Sequence, residues 1–207
     1  MKTSEILSLC MIMAVVSFLG FVVENIWLSL TKGYMDNRNM CLPFLLGYGL
    51  AIATIFLLFG TPKQLVLLGR QIVFKRIHSG KLFYFLVVML CVSVGEILLG
   101  TFVEKTCHFY WWDYTKLPLH ITRYTSIPTS AGFSFLITLF MDYFFMPLMN
   151  RFLAWDYGHL CVAAGVLMVL LTADFLYNAY LTYRNKQTTR RWKINTTRSL
   201  GYRLLHS

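Results

Sequence analysis

The sequence predicts an all-α fold, a polytopic transmembrane helix bundle of about five spans. Hydrophobic residues make up 57% of the 207-residue chain and charged residues only 14%, which lies outside the usual balance of a water-soluble domain. The apolar residues also gather in long runs, and a helix needs about 20 of them to cross the ~30 Å hydrocarbon layer. The runs that fit are residues 6–30, 43–60, 82–103, 127–149 and 159–183.

The first run follows Lys2 and resembles a secretory signal. It lacks a small-residue cleavage site, however, and it continues through Glu24 to Trp27. We therefore interpret it as a span, so that residues 1–183 form one transmembrane domain, followed by a basic tail at residues 184–207.

Two basic segments lie outside the predicted spans. QLVLLGRQIVFKRIHSGK precedes the third span at residues 64–81, and RRWKINTTRSLGYRLL lies in the tail at residues 190–205. Each is predicted either as a short amphipathic helix in the membrane interface or as a segment whose basic side chains snorkel to the headgroups. The tail, rich in Arg, Thr and Asn, is expected to be interfacial or partly disordered.

The formal net charge of +10 is confined to loops and tail, and no nucleic-acid-binding motif accompanies it. The predicted partner is therefore a bilayer with anionic lipids rather than nucleic acid. The chain has no P-loop, so any use of ATP has to come from a separate ATPase subunit. The distribution of Lys and Arg favours the tail side as cytoplasmic, although the basic 61–81 connection opposes this.

Four acids lie within the predicted spans, whereas no Lys or Arg does: Glu24, Glu96, Asp142 and Asp174. An ionised carboxylate in hydrocarbon costs at least ~2.5–3.5 kcal/mol, so these side chains are expected to face protein or water. They can stay protonated, accept several hydrogen bonds or bind a cation. All but Asp142 lie at similar depth from one face, and Asn178 lies one turn from Asp174.

The third span carries Glu96, Gly100 and Glu104 at intervals of four, which places them on one side of a helix. GFVVEN in the first span parallels GTFVEK in the third, each with Gly four residues before Glu. The match is either chance or a duplicated element. In the second case, the two helices could pack through the glycines and bring Glu24 towards Glu104.

Two loops, residues 32–49 and 104–126, are predicted to share one membrane face. The second contains aromatic residues that suit an interfacial belt, with Asp113 among them. Basic side chains of both loops are expected to snorkel towards the acids and form a charge-paired lid over a cavity. These basic residues are Arg38, Lys105 and Arg123.

The five cysteines show no CxxC spacing, and their odd number argues against a disulfide framework. A bridge between Cys41 and Cys107 is the alternative to apolar packing. Cys107 also lies near His108 and His120, but this spacing fits no known zinc pattern, so no metal site is predicted.

Several of these residues occur together in an order that is specific: Glu24, Arg38, Pro43, Tyr48-Gly49, Glu96-x3-Gly100-x3-Glu104, Trp112-Asp113-Tyr114 and Pro118. This string resembles the CmpB family over roughly residues 10–150. The resemblance implies a type IV ABC-transporter membrane protein in the plasma membrane of a bacterium. The sequence departs from the family pattern in both loops, so the substrate cannot be transferred from the resemblance; the departures are Asn39, Leu46, His120 and Arg123.

Transport is the preferred function: a vestibule lined by carboxylates would handle a cation, a proton-coupled solute or a cationic small molecule. Five short spans make a small transporter, so a homo-oligomer or a partner subunit is expected. The predicted binding residues are Glu24, Arg38, Tyr48, Glu96, Glu104, Trp112, Asp113, Tyr114 and Asp174.

Two other functions remain open on the sequence. A membrane-embedded enzyme could use paired carboxylates as general acid and base on a lipid or isoprenoid, with Trp111 and Trp112 holding the chain. A non-catalytic scaffold would instead act through the basic tail and would not need Glu24 or Glu96.

Overall fold

The computed structural model describes residues 1–67, 69–74 and 76–196, and these are mostly helical. A π-helical turn, Phe140–Phe144, joins two of the helices into one continuous helix, Ile127–Leu153. The predicted all-α class is confirmed. The helices are α1 (Thr3–Lys32), α2 (Leu46–Phe59), α3 (Ile77–Cys107), α4 (Ile127–Leu139), α5 (Phe145–Leu153) and α6 (Tyr157–Asn185).

Short antiparallel strands connect the helices. The strands are β1 (Tyr34–Asp36), β2 (Gly60–Thr61), β3 (Gln64–Leu67), β4 (Arg70–Gln71), β5 (His120–Thr122), β6 (Thr125–Ser126) and β7 (Lys193–Asn195). Strand β1 pairs with β7, strands β2, β3 and β4 form a three-stranded antiparallel sheet in that order, and β5 pairs with β6.

Among the described residues, four helical segments are long and apolar enough to cross a membrane: α1, α3, the continuous α4–α5 helix and α6. The fifth predicted span lies within α6, and the second contains α2, which has only 14 residues. At 1.5 Å per residue α2 is ~21 Å long, less than the ~30 Å hydrocarbon layer.

The ends of α1 and α6 nevertheless indicate that α2 carries the chain across. β1 directly follows α1 and pairs with β7, which follows α6, so both helices end at the same membrane face. The chain must then cross an odd number of times between the end of α1 and the start of α6. Because α3 and the α4–α5 helix supply two crossings, α2 and the apolar residues flanking it supply the third.

The chain divides into two compact units. Unit 1 comprises Met1–Ala51 and Trp155–Ser207, and unit 2 comprises Ile52–Ala154. The boundary lies within α2. Each unit contains one long helix that carries a Gly-x3-Glu motif and a loop that follows it.

Unit 1 is built on α1 and α6, which pack along one another around a small apolar core. Residues 186–196 then run back across the loop that follows α1: the Thr189 amide donates to Asn39, and the Arg191 amide donates to Asn37. The predicted amphipathic helix at 190–205 is wrong for residues 190–196, because the edge of β1 offers backbone partners to β7. Residues 197–205 lie outside the described residues. The core consists of Ala14, Leu46 and Leu171 with Phe44, Leu167, Met168 and Phe175 around it.

Unit 2 is built on α3, which packs against α4. The amphipathic helix predicted for residues 64–81 is wrong: β3 and β4 occupy its first half, and α3 begins only at Ile77. Gly60 and Gly69 adopt φ of +69° and +76°, a conformation that favours glycine; Gly60 directly follows α2, and Gly69 lies in the turn between β3 and β4. Leu68 and Lys75 lie outside the described residues.

Candidate functional site

The predicted binding residues divide between the two units. Unit 1 holds Glu24, Arg38, Tyr48 and Asp174, whereas Glu96, Glu104, Trp112, Asp113 and Tyr114 belong to unit 2. A single vestibule lined by all of them therefore stays a prediction. Within each unit, the partners of every acid are defined.

Glu24 of α1 is paired with a cation from its own loop. Arg38 Nε donates to Glu24 Oε2 at 2.6 Å, and the Arg38 Nη2 atom contacts the same oxygen. The Tyr48 hydroxyl donates to the other oxygen, Oε1, at 2.7 Å. The predicted snorkelling of Arg38 towards an intramembrane glutamate is thus confirmed, and it neutralises the charge of Glu24.

Asp174 of α6 is satisfied by amides rather than by a cation. Its two oxygens accept the backbone N–H groups of Cys41 and Leu42 at 3.0 and 3.1 Å. The Asn178 amide donates to Asp174 Oδ1 at 2.8 Å, and Arg191 in turn donates to Asn178. Several hydrogen bonds therefore stabilise this carboxylate. Through them, Asp174 links the loop after α1 to α6.

Asp142 lies in the π-helical turn, and sequence reasoning missed its partners. Lys81 Nζ lies 2.6 Å from Asp142 Oδ2, and Lys63 Nζ lies 3.8 Å from Oδ1. The predicted third span begins at residue 82 and excludes Lys81, whereas α3 begins at Ile77 and includes it. Only 2% of the Asp142 side chain is exposed, so the two lysines provide the charge compensation that this site requires.

Pro147 leaves the Asp142 carbonyl without a backbone partner in the π-helical turn. In the π-helical turn the Phe145 N–H bonds to the carbonyl of Phe140, five residues earlier. The same register assigns the Asp142 carbonyl to residue 147, and proline has no N–H to offer. Lys63 Nζ donates to this carbonyl at 3.1 Å instead. A proline five residues after a buried acid was the signal in the sequence.

Within the part of the chain that the structure describes, the partners of Glu96 of α3 are hydroxyl groups alone. The Thr125 hydroxyl donates to Glu96 Oε2 at 2.7 Å, and the Ser130 hydroxyl donates to the same oxygen at 3.2 Å. These two hydroxyls lie 2.8 Å from each other, and both residues are fully buried. Within the described ranges no Lys, Arg or His nitrogen lies within 4 Å of the Glu96 carboxylate.

Glu104 lies two turns further along α3 and accepts a hydrogen bond from the Tyr124 hydroxyl. Gly100 makes this possible, because a Cβ at that position would lie 2.3 Å from the Tyr124 ring. Burial and the hydrogen bond to Glu104 raise the pKa of Tyr124 to about 12, so the tyrosine remains the donor near neutral pH. Sequence reasoning named Glu104 but not Tyr124.

The arrangement around Glu104 repeats the arrangement around Glu24. A Cβ at Gly20 would lie 2.5 Å from the ring of Tyr48, just as one at Gly100 would meet Tyr124. Each glycine is therefore covered by a tyrosine of its own unit, and each tyrosine bonds the glutamate four residues on. The shared geometry is consistent with a duplicated element, and the packing of one helix on the other through these glycines stays a prediction.

The loop after α3 positions Tyr124 through the predicted aromatic motif. Trp112 Nε1 donates to the Tyr124 carbonyl at 2.9 Å, and the Tyr114 amide donates to the Arg123 carbonyl at 2.8 Å. Arg123 Nε lies 3.7 Å from Asp113 Oδ2, so this part of the predicted charge-paired lid is confirmed. Lys105 forms no ion pair within the part of the chain that the structure describes.

Asp113 closes a turn in the loop after α3. The backbone N–H and hydroxyl of Thr115 both donate to Asp113 Oδ1, at 2.9 and 2.7 Å. These hydrogen bonds, and to a lesser extent the positive charge of Arg123, lower the pKa of Asp113 below its usual range. All five cysteines are free thiols, so the bridge between Cys41 and Cys107 is not formed.

The comparisons with known proteins agree with the architecture. A family model described as “Putative ABC-transporter type IV”, that of the CmpB family, matches residues 11–179. No curated protein and no solved structure matches the chain. The matched range contains both Gly-Glu-Tyr sites and most of the apolar helices. The chain therefore belongs to the CmpB family and is an integral membrane protein with a transport-related role.

Proposed function

We propose that the chain is the membrane-embedded subunit of a transport system for a small solute, one that carries positive charge or moves together with a proton. A separate ATPase subunit would supply the energy, because the chain itself has no P-loop. The cytoplasmic membrane of a bacterium is the compartment in which such a complex would work.

The main observation behind this proposal is that the intramembrane acids differ in the partners that stabilise their charge. Glu24 has Arg38, Asp142 has two lysines, and Asp174 has two backbone amides and Asn178. Glu96 and Glu104, by contrast, have hydroxyl partners alone within the described ranges. A carboxylate without a fixed counter-charge in an apolar helix is expected to hold a proton or an exchangeable cation.

The hydroxyl partners suit exchange better than amides would. A Ser, Thr or Tyr hydroxyl can donate or accept by rotation, whereas a backbone N–H only donates. The Thr125 and Ser130 hydroxyls can therefore serve Glu96 in its ionised form and also in its protonated form. The backbone amides on Asp174 can only donate, which suits a structural role.

The two glutamates are ~12 Å apart along α3, as eight residues at 1.5 Å each require. The Tyr124 ring packs against Gly100, which lies between them in the sequence, and each glutamate has its own hydroxyl partners. An enzyme that uses paired carboxylates needs both groups on one substrate. This separation favours successive transport sites over an acid–base pair, and the enzyme acting on a lipid or isoprenoid becomes one outcome of the test.

The test uses the complex purified from its native membrane and reconstituted in liposomes. A pH-sensitive dye reports proton movement, and radiolabelled methylammonium and sodium report cation movement, each with and without ATP. Glu96→Gln and Glu104→Gln are expected to abolish ATP-dependent flux, whereas Glu5→Gln, at a partly exposed acid in the first turn of α1, leaves it intact. Flux that survives in both glutamine variants excludes the proposed role of these carboxylates.

A further inference from the structure

The Glu24 site shows what a glutamate in this arrangement binds. Gly20 admits the Tyr48 ring, the Tyr48 hydroxyl bonds Oε1, and the guanidinium of Arg38 contacts Oε2 through both Nε and Nη2. A guanidinium is planar, weakly hydrated and always charged, which suits it to a partly buried carboxylate. In unit 1, the guanidinium that Glu24 binds is therefore a side chain of the same unit, Arg38.

Unit 2 repeats the site without the guanidinium. Gly100 admits the Tyr124 ring, and the Tyr124 hydroxyl bonds Glu104 Oε2. In residues 1–67, 69–74 and 76–196, no Lys, Arg or His nitrogen lies within 4 Å of Glu104, and its Oε1 has no hydrogen-bond partner. The Glu104 side chain is also only partly buried, so a solute can approach it.

The arginine of the second loop is held away from Glu104. The Arg123 guanidinium lies 3.9 Å from the centre of the Tyr110 ring, which is a cation–π contact. It also lies 3.7 Å from Asp113. Arg123 therefore contacts Tyr110 and Asp113 within its own loop, and it leaves the Glu104 carboxylate accessible.

We propose that Glu104, with the Tyr124 hydroxyl beside it, binds the guanidinium group of a small solute in the position that Arg38 occupies on Glu24. This inference rests on the proposed function, since it names the class of solute that the transport subunit would accept. Glu104 provides the charge, and Tyr124 orients the carboxylate so that one oxygen stays free for the solute.

Equilibrium dialysis of radiolabelled methylguanidinium against the full chain in mild detergent tests the proposal. The wild-type chain is expected to bind one equivalent. Glu104→Gln should weaken binding ~10- to 100-fold, because it removes a charge-assisted hydrogen bond. Tyr124→Phe retains the ring on Gly100 and should weaken binding by a smaller factor. Methylammonium, which cannot form the fork-shaped contact, should bind more weakly than methylguanidinium.

Arg38→Ala provides the decisive variant, because it vacates the first site. This variant is expected to bind two equivalents of methylguanidinium, and the added equivalent should disappear when Glu24→Gln is combined with it. Should Arg38→Ala fail to fold, recovery of its folded yield by added methylguanidinium would support the same conclusion. Wild-type protein that binds no methylguanidinium, or binding that Glu104→Gln leaves unchanged, overturns the proposal.

The binding assay and the flux assay fail independently. Methylguanidinium binding without any flux would retain the guanidinium site and remove the transport role. Flux of protons or sodium that depends on Glu96, without methylguanidinium binding, would retain transport and remove the guanidinium site.

Discussion

Glu96 accepts hydrogen bonds from two hydroxyls that are themselves fully buried, and this determines what a substitution does. Glutamine keeps an acceptor oxygen for Thr125 and Ser130 and removes a charge that is costly in hydrocarbon. Alanine removes the acceptor and leaves two buried hydroxyls to be satisfied elsewhere.

We therefore expect Glu96→Gln to fold and insert with unchanged or raised thermal stability while it loses transport. Glu96→Ala should lose about 1–3 kcal/mol of stability for each hydroxyl left without a partner. Thermal unfolding in detergent measures both. The account of this site would be wrong if the glutamine variant unfolded as readily as the alanine variant.

Lys81 and Asp142 form a pair in which the acid is almost completely buried. Removing only the cation leaves a buried charge with Lys63 at 3.8 Å, whereas removing both charges leaves none. Lys81→Met should therefore lower the melting temperature more than the combined Lys81→Met and Asp142→Asn variant. The reverse order in a thermal unfolding series would show that this ion pair does not hold the π-helical turn.

Asp113 makes the loop after α3 sensitive to acid. Because folding lowers its pKa, the ionised form stabilises the loop above the ordinary pKa of aspartate, and this contribution is lost as the pH falls through the lowered value. Tryptophan fluorescence, which includes Trp111 and Trp112, should report loosening of the loop on acidification below about pH 4. The Asp113→Asn variant should show no such step, and an identical step in that variant would assign the transition to another group.

At the scale of the elements, each Gly-x3-Glu motif fixes how a loop returns to its helix. Gly100 and Gly95 lie on the same helix, but only Gly100 has a side chain, that of Tyr124, where its Cβ would be. In unit 1, the Tyr48 ring lies where a Cβ at Gly20 would be, whereas nothing lies within 4 Å of a Cβ at Gly47.

Gly100→Ala is expected to cost about 1–3 kcal/mol through overpacking against Tyr124, whereas Gly95→Ala should stabilise α3 by about 0.5–1 kcal/mol. Adding Tyr124→Ala to Gly100→Ala should recover part of the loss by making room. Chemical or thermal unfolding of the wild type and of the three variants provides the measurement. Equal effects of the two alanine substitutions would show that the Tyr124 ring does not restrict the side chain at position 100.

The long helices could be predicted from the sequence because apolar composition and length alone decide which helices can cross a bilayer. The pairing of Arg38 with a glutamate could also be anticipated, since a long basic side chain in a loop reaches down into the membrane. The partners of Glu104 and Asp142 could not. Tyr124 reaches Glu104 only through the fold of the 108–126 loop, and Lys63 reaches Asp142 from a hairpin that the sequence did not predict.

At the scale of the whole molecule, the two units share a pattern of Gly, Glu and Tyr but differ in the charge that meets the glutamate. Unit 1 closes its site with Arg38, and unit 2 leaves Glu104 without a cation in the described residues. Unit 2 also holds Glu96, the other acid that has hydroxyl partners alone. The two sites thus differ in the cation that unit 1 supplies to Glu24 and that Glu104 does not have in the described residues, and the proposed solute would take that cation's place at Glu104.

Mass spectrometry of the tagged protein and whatever co-purifies with it from the native membrane, in mild detergent, tests the transport role most directly. The account predicts a stoichiometric ATPase subunit, as expected for a membrane subunit without a P-loop. A chain that comes out alone, or that retains one defined lipid, would contradict it and favour the lipid enzyme.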